Sequence, residues 1–105
     1  MPIATIAGRE VHLNDEGFIT DPNEWTEEIA AFLARQIGID PLTDDHWKVI
    51  HFLRGDFAEQ GETATLRRVS TMAGVPTKNL YGLFPGKPAR KMAYVSGLPK
   101  PKGCV

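Results

Sequence analysis

The sequence predicts a mainly α protein: a small orthogonal bundle of about five helices with a helix-turn-helix-like pair, an N-terminal β-hairpin and a flexible C-terminal arm. Three observations lead there. Apolar residues recur at helical spacing through Trp25, Ile29, Phe32, Leu33 and Ile37, and again through Trp47, Ile50, Leu53 and Phe57. Two short apolar runs at the N-terminus flank a glycine, which is a hairpin signal. The last nine residues hold Pro99 and Pro101, which forbid a helix and favour extended geometry. With 105 residues the chain has material for one core and not two, since a fold of this size buries roughly 65% of its unfolded surface. The expected division is a helical body over 1–96 and a mobile arm over 97–105.

Each element follows from local chemistry. Ile3–Ala7 and Val11–Leu13 read as strands joined at Gly8-Arg9, and Phe18-Ile19 can pair back after a turn at 15–17. The first helix is expected to start near Asp21 or Asn23, with Pro22 pre-set for a first turn, and to stop at Gly38. Thr43 is the cap of a second helix; Asp44 and Asp45 suit its positive end, and Gly61 stops it. A third helix is expected over about 65–73. Gly74-Val75-Pro76 turns the chain into a fourth helix, capped by Thr77 and running to about Phe84. Pro88 opens a fifth over 89–96, with Gly97 as its stop.

Composition narrows the function. No apolar run is long enough to span a bilayer, and the N-terminus lacks a charged-then-apolar leader pattern, so a cytoplasmic protein that avoids membranes is expected. One cysteine cannot make an internal disulfide or a multi-cysteine zinc site. His46 and His51 are five apart on one helix, which is not a facing spacing, so no metal site and no cofactor is expected. Trp25 and Trp47 read as core anchors.

The charges are segregated. Residues 1–62 carry all 13 acids and four bases, whereas 63–105 carry eight bases and no acid. That split points to an anionic partner for the C-terminal part, either nucleic acid or an acidic protein face, unless the two halves neutralise one another in the fold. The candidate docking residues are Arg67, Arg68, Arg90, Lys91, Lys100 and Lys102. The two short helices over 66–84 carry only positive charge. In a nucleic-acid-binding regulator, Lys78 and Asn79 would stand near base edges.

Cys104 is the second candidate. It is penultimate, beyond two prolines and two lysines, where terminal residues are poorly held unless docked. An accessible thiol can accept a sulfane sulfur as a persulfide and pass it on, which needs a nucleophilic sulfur, access and a partner's sulfur in reach. Gly97, Pro99, Pro101 and Gly103 would set the reach and stiffness of the arm, at most about 25 Å from Gly97 to Cys104.

The tail GLPKPKGCV (97–105) closely resembles the C-terminus of the DsrC/TusE family of sulfur-carrier proteins. LTDDHWKVIHFLR (42–54), YGLFPGKPA (81–89) and EGFITDPNEW (16–25) resemble further segments of that family, in the family's order. The resemblance implies a small helical fold with an N-terminal hairpin and a mobile arm. It also implies a cytoplasmic sulfur relay in which Cys104 takes sulfur from an upstream persulfide donor and delivers it downstream. Members that serve dissimilatory sulfite reductase as its gamma subunit carry a second cysteine eleven residues before the last; that position here is Ala93. The single thiol favours a TusE-like sulfurtransferase role, a persulfide carrier rather than a self-contained enzyme. Its acceptor would be a tRNA 2-thiouridylase, with tRNA nearby. The alternative acceptor is a sulfite-reductase-type complex or another sulfur-oxidation system. The tight 73–77 connection and the Gly86-Lys87 order depart from many members.

Overall fold

The computed structural model describes residues 3–101. Two strands, β1 (Ile3–Ile6) and β2 (Arg9–His12), form an antiparallel hairpin. Five helices follow: α1 (Glu27–Gln36), α2 (Asp44–Gln60), α3 (Leu66–Ala73), α4 (Thr77–Leu83) and α5 (Pro88–Val95). Among the described residues no helix is long and apolar enough to cross a membrane.

The hairpin turns one residue earlier than its sequence suggests. Ile6 pairs with Arg9, so Ala7 and Gly8 are the central residues, both with positive φ (52° and 77°). The apolar pattern does not choose between the two registers, because either leaves Ile6 and Val11 on one face. Nor does the turn residue: a type I′ turn takes glycine at its second central position, as in Ala7-Gly8, and a type II′ turn takes it at the first, as Gly8-Arg9 would. The expected return pairing is present as a single bridge between Leu13 and Ile19.

The first helix begins later than expected. Asp21 caps only a 3-10 turn, Pro22–Glu24, accepting from the Asn23 N–H at 3.0 Å. Trp25 is then extended (φ −74°, ψ 143°), and Thr26 is the true cap of α1, accepting from the Ile29 N–H at 3.2 Å. Two caps in series put a break at Trp25, and the break is what lets the indole leave the helix axis and reach the end of α5.

The remaining elements stand within a residue of expectation. α3 is capped by Thr65. α4 starts at Thr77 itself, with the Pro76 carbonyl taking its first N–H groups. In α2, His46 Nδ1 accepts the Thr43 N–H at 3.0 Å and its Nε2 reaches the Leu83 carbonyl at 2.8 Å. His46 thus ties the start of α2 to the end of α4, with its ring edge-on to buried Phe84.

The core has two parts. The larger gathers Ala30, Val49, Ile50, Leu53, Val69, Leu80, Phe84, Met92, Val95 and Leu98. The smaller lies under the hairpin and holds Ile6, Val11, Ile19, Ile29 and Leu33. Trp25 and Tyr94 pack against both and join them. Trp25 and Trp47 are half-buried against the core rather than inside it. Leu98 is a member of the larger core at 1% exposure, although it lies in the stretch that reads as arm.

Candidate functional site

The cysteine-bearing tail leaves the body from a built seat. α5 ends in a Schellman motif: the Leu98 N–H donates to the Ala93 carbonyl at 3.1 Å and the Gly97 N–H to the Tyr94 carbonyl at 3.3 Å. Gly97 holds φ +70°, and a Cβ there would stand 2.5 Å from Trp25 Cδ1. Only glycine satisfies both conditions.

Side chains from four other segments hold 95–100. Trp25 Nε1 donates to the Val95 carbonyl at 2.8 Å. Arg54 donates to the Ser96 carbonyl at 2.9 Å and to the Pro22 carbonyl at 3.0 Å, and its guanidinium lies 4.2 Å from the centroid of the Trp25 ring. Burial lowers the Arg54 pKa from its ordinary value. Thr63 Oγ1 donates to the Pro99 carbonyl at 2.7 Å. Lys100 Nζ reaches both carboxylate oxygens of Glu16 at 3.3 Å, and Arg90 meets the same carboxylate at 2.8 Å. The hydrogen bond from Lys100, with the charges of Lys100 and Arg90, lowers the Glu16 pKa.

Three of the four expected arm residues lie in this seat. Pro99 is gripped through its carbonyl, and Pro101 is buried. Gly97 is the hinge of the seat rather than a free joint. Cys104, Gly103 and Lys102 lie outside the described residues. Cys104 is the third residue after Pro101, so the chain beyond the seat can carry its Cα at most about 10 Å, against the roughly 25 Å expected for an arm free from Gly97. Ala93, where the two-cysteine pattern places a thiol, is fully buried on α5.

The expected docking cations fall into two groups. Arg90 and Lys91 on α5 and Lys100 on the seat share one surface around Glu16. Arg68 is bound to the buried Asp56 carboxylate by two hydrogen bonds, 2.9 and 2.6 Å, which hold the Asp56 carboxyl below its ordinary pKa. Arg67 lines a separate hollow on α3 with Thr71 and Met72.

A groove of about 490 Å³ opens beside the seat. Glu16, Gly17 and Phe18 form one wall, with Ile37 at the end of α1. Lys87, Arg90, Lys91 and Tyr94 form the other. Phe18 and Tyr94 meet edge to face at 5.8 Å, and burial raises the Tyr94 pKa.

Sequence reasoning missed Trp25, Arg54, Thr63 and Glu16 as holders of the arm. Arg54 carried a signal: it sits four residues after Ile50, on the flank of an apolar helical face where a charge needs a reason. Thr63 and Glu16 carried none, because their partners lie 36 and 84 residues away.

Comparison with known proteins bears on the family and the fold. Residues 5–105 match the family model "DsrC like protein". The chain is 31% identical to the dissimilatory-type sulfite reductase subunit gamma of Nitratidesulfovibrio vulgaris, over the whole of both chains. It is 32% identical to the sulfurtransferase TusE of Escherichia coli (strain K12), covering 93% of this chain and 95% of that one. The solution structure of the Pyrobaculum aerophilum DsrC/gamma subunit of dissimilatory sulfite reductase superposes with a TM-score of 0.83 at 34% identity, covering 99% of this chain and 95% of the other. The chain belongs to the DsrC family.

Proposed function

We propose that this DsrC-family chain is a sulfur-relay carrier of the TusE type, working between partner proteins in the cytoplasm. The observation that carries the reading is the single cysteine, penultimate in the chain and three residues beyond a seat built from four separate elements. A relay needs its sulfur on a short tether anchored to a body that partners can recognise.

The chemistry is thiol–persulfide exchange. The Cys104 thiolate attacks the outer sulfur of a donor persulfide. The new S–S bond forms as the donor's S–S bond breaks, and the donor departs as a thiolate. Cys104 now holds the persulfide, and the same exchange in the forward direction hands the sulfur to an acceptor. No external oxidant or reductant is consumed.

The acceptor we favour is a tRNA 2-thiouridylase. Ala93 supports this, since a one-cysteine chain cannot close a disulfide on its own arm as a two-cysteine sulfite-reductase cycle would require. A gamma-subunit-like role with a sulfite-reductase-type complex is the second reading, favoured by the full-length match to that subunit. Nothing in the α3–α4 pair or in these relatives favours direct nucleic-acid reading. The test is complementation. In a bacterium lacking its TusE relative, this chain should restore 2-thiouridine in bulk tRNA, and Cys104→Ser should not. Absence of 2-thiouridine in cells that contain folded chain overturns the tRNA assignment.

A further inference from the structure

The groove beside the arm seat has a chemistry that the relay step itself does not use. Its rim carries Lys87, Arg90 and Lys91 against a single carboxylate, Glu16, which Arg90 and Lys100 already share. No acid occurs anywhere in 63–105 to balance that rim. Lys91 is held on the Pro85 carbonyl, which keeps its charge over the opening. Lys87, the residue before α5, is exposed, and its side chain makes no cap hydrogen bond. Beneath the cations the lining turns apolar through Ile37, Phe18 and Tyr94.

We propose that this groove is the docking slot for an acidic segment of a relay partner. One large apolar side chain of that segment enters over Ile37 and Tyr94, while carboxylates on either side meet Lys87 and Lys91. The proposal rests on the relay reading only for who the partner is. Charge complementarity selects an acidic occupant, and the apolar floor selects a protein over a nucleic acid. A single-stranded nucleic acid needs open aromatic faces on which bases stack. Here Phe18 is buried with Arg90 5.5 Å from its ring centroid, and Tyr94 is half-buried beside it, so the groove offers no run of open rings on which successive bases could stack. The volume is within the range of sites that take a few side chains rather than one ion. Because Glu16 lines the groove and also holds Lys100, a ligand there competes with the body's own carboxylate for the cations at the base of the arm. Docking and arm release then share one group.

The test uses the full chain carrying Cys104→Ser, so that no thiol chemistry enters. The probe is a fluorescein-labelled octapeptide of aspartate and glutamate around one phenylalanine. Controls replace the acids with glutamine or the phenylalanine with glycine, and an RNA octamer serves as the nucleic-acid control. Anisotropy gives affinity, and nitrogen-15 amide shifts give the location. The acidic phenylalanine peptide should move the amides of Gly17, Gly86 and Tyr94, bind more weakly as salt rises, and lose at least about fivefold in affinity on Lys87→Glu. Ile37→Asp should weaken it by about tenfold or more through the floor, and Arg67→Glu on α3 should leave it unchanged. Millimolar peptide that leaves those amides still, affinity indifferent to both Lys87→Glu and Ile37→Asp, or RNA bound there in preference to the peptide would each overturn the proposal. Relay stands or falls separately. A wild-type chain that binds the peptide but takes no sulfur keeps the slot and loses the relay. A chain that relays sulfur at an unchanged rate with Lys87→Glu and Ile37→Asp keeps the relay and loses the slot.

Discussion

Gly97→Ala is the substitution that the arm seat should tolerate least. Alanine there must hold φ +70°, which costs an L residue about 1–2 kcal/mol. Its Cβ would also stand 2.5 Å from Trp25 Cδ1 and 2.8 Å from Trp25 Cβ and Cγ, where carbon atoms prefer about 3.5–4.0 Å. These atoms cannot swing aside. Trp25 Cβ is fixed to the backbone, Nε1 is held by the Val95 carbonyl, and the ring lies against Arg54. Relief therefore requires the end of α5 or the 22–26 segment to move by about 1 Å. That movement gives up the indole hydrogen bond, worth about 0.5–1.5 kcal/mol, and strains packing by about 1–3 kcal/mol. The expected loss is about 3–5 kcal/mol in all, a large share of the stability of a domain this size. It should lower the melting temperature by at least about 12 °C. Denaturant titration followed by far-ultraviolet circular dichroism measures it without relying on tryptophan fluorescence. Trp25→Gly removes all three clashing atoms, so in that background Gly97→Ala should cost only the backbone part, about 1 kcal/mol. Equal costs in the two backgrounds, within about 0.5 kcal/mol, would refute the steric argument.

The other expectations are narrower. Leu98→Ala removes a fully buried side chain from the larger core and should cost about 2–5 kcal/mol by denaturation, which distinguishes a core residue from the first link of a free arm. Thr63→Val deletes the hydroxyl that holds the Pro99 carbonyl; about 1 kcal/mol should be lost, with faster hydrogen exchange at Lys100 as the local sign. Asp56 has its pKa lowered chiefly by the hydrogen bonds from Arg68, so the unfolded chain binds its proton more readily than the folded one. The stability this provides is present above the ordinary aspartate value of about 3.9 and is lost as pH falls through the lower folded value. Asp56→Asn should therefore flatten the acid limb of the stability–pH curve, and an unchanged acid limb would contradict the assignment.

The fold was legible because its helices are local objects. Apolar spacing and caps placed α2, α3 and α5 within a residue, and Gly97 was correctly read as a stop. Two boundaries were not legible from local rules. The Ala7-Gly8 turn differs from its alternative by one step that leaves the apolar face intact, and both turns place glycine where a favoured two-residue turn takes it. The break at Trp25 exists because the indole is needed at Val95, 70 residues away, and no local signal carries that demand. The site divides in the same way. Cys104 is conspicuous in the sequence, being the only thiol at the end of a proline-rich tail. The seat that shortens its reach is made of long-range hydrogen bonds from Arg54, Thr63 and Glu16. The charge split was visible, but the pairing of Arg68 with Asp56 was not, and that pairing takes one cation out of the expected docking face.

The most direct test of the relay is the intact mass of the protein after incubation with a persulfide-loaded cysteine desulfurase or sulfurtransferase. The account predicts the gain of one sulfur atom, reversed by a thiol reductant, lost in Cys104→Ser and retained in Ala93→Ser if that variant folds. A wild-type chain that gains no sulfur from several loaded donors, while its thiol still reacts with a small alkylating reagent, would contradict it.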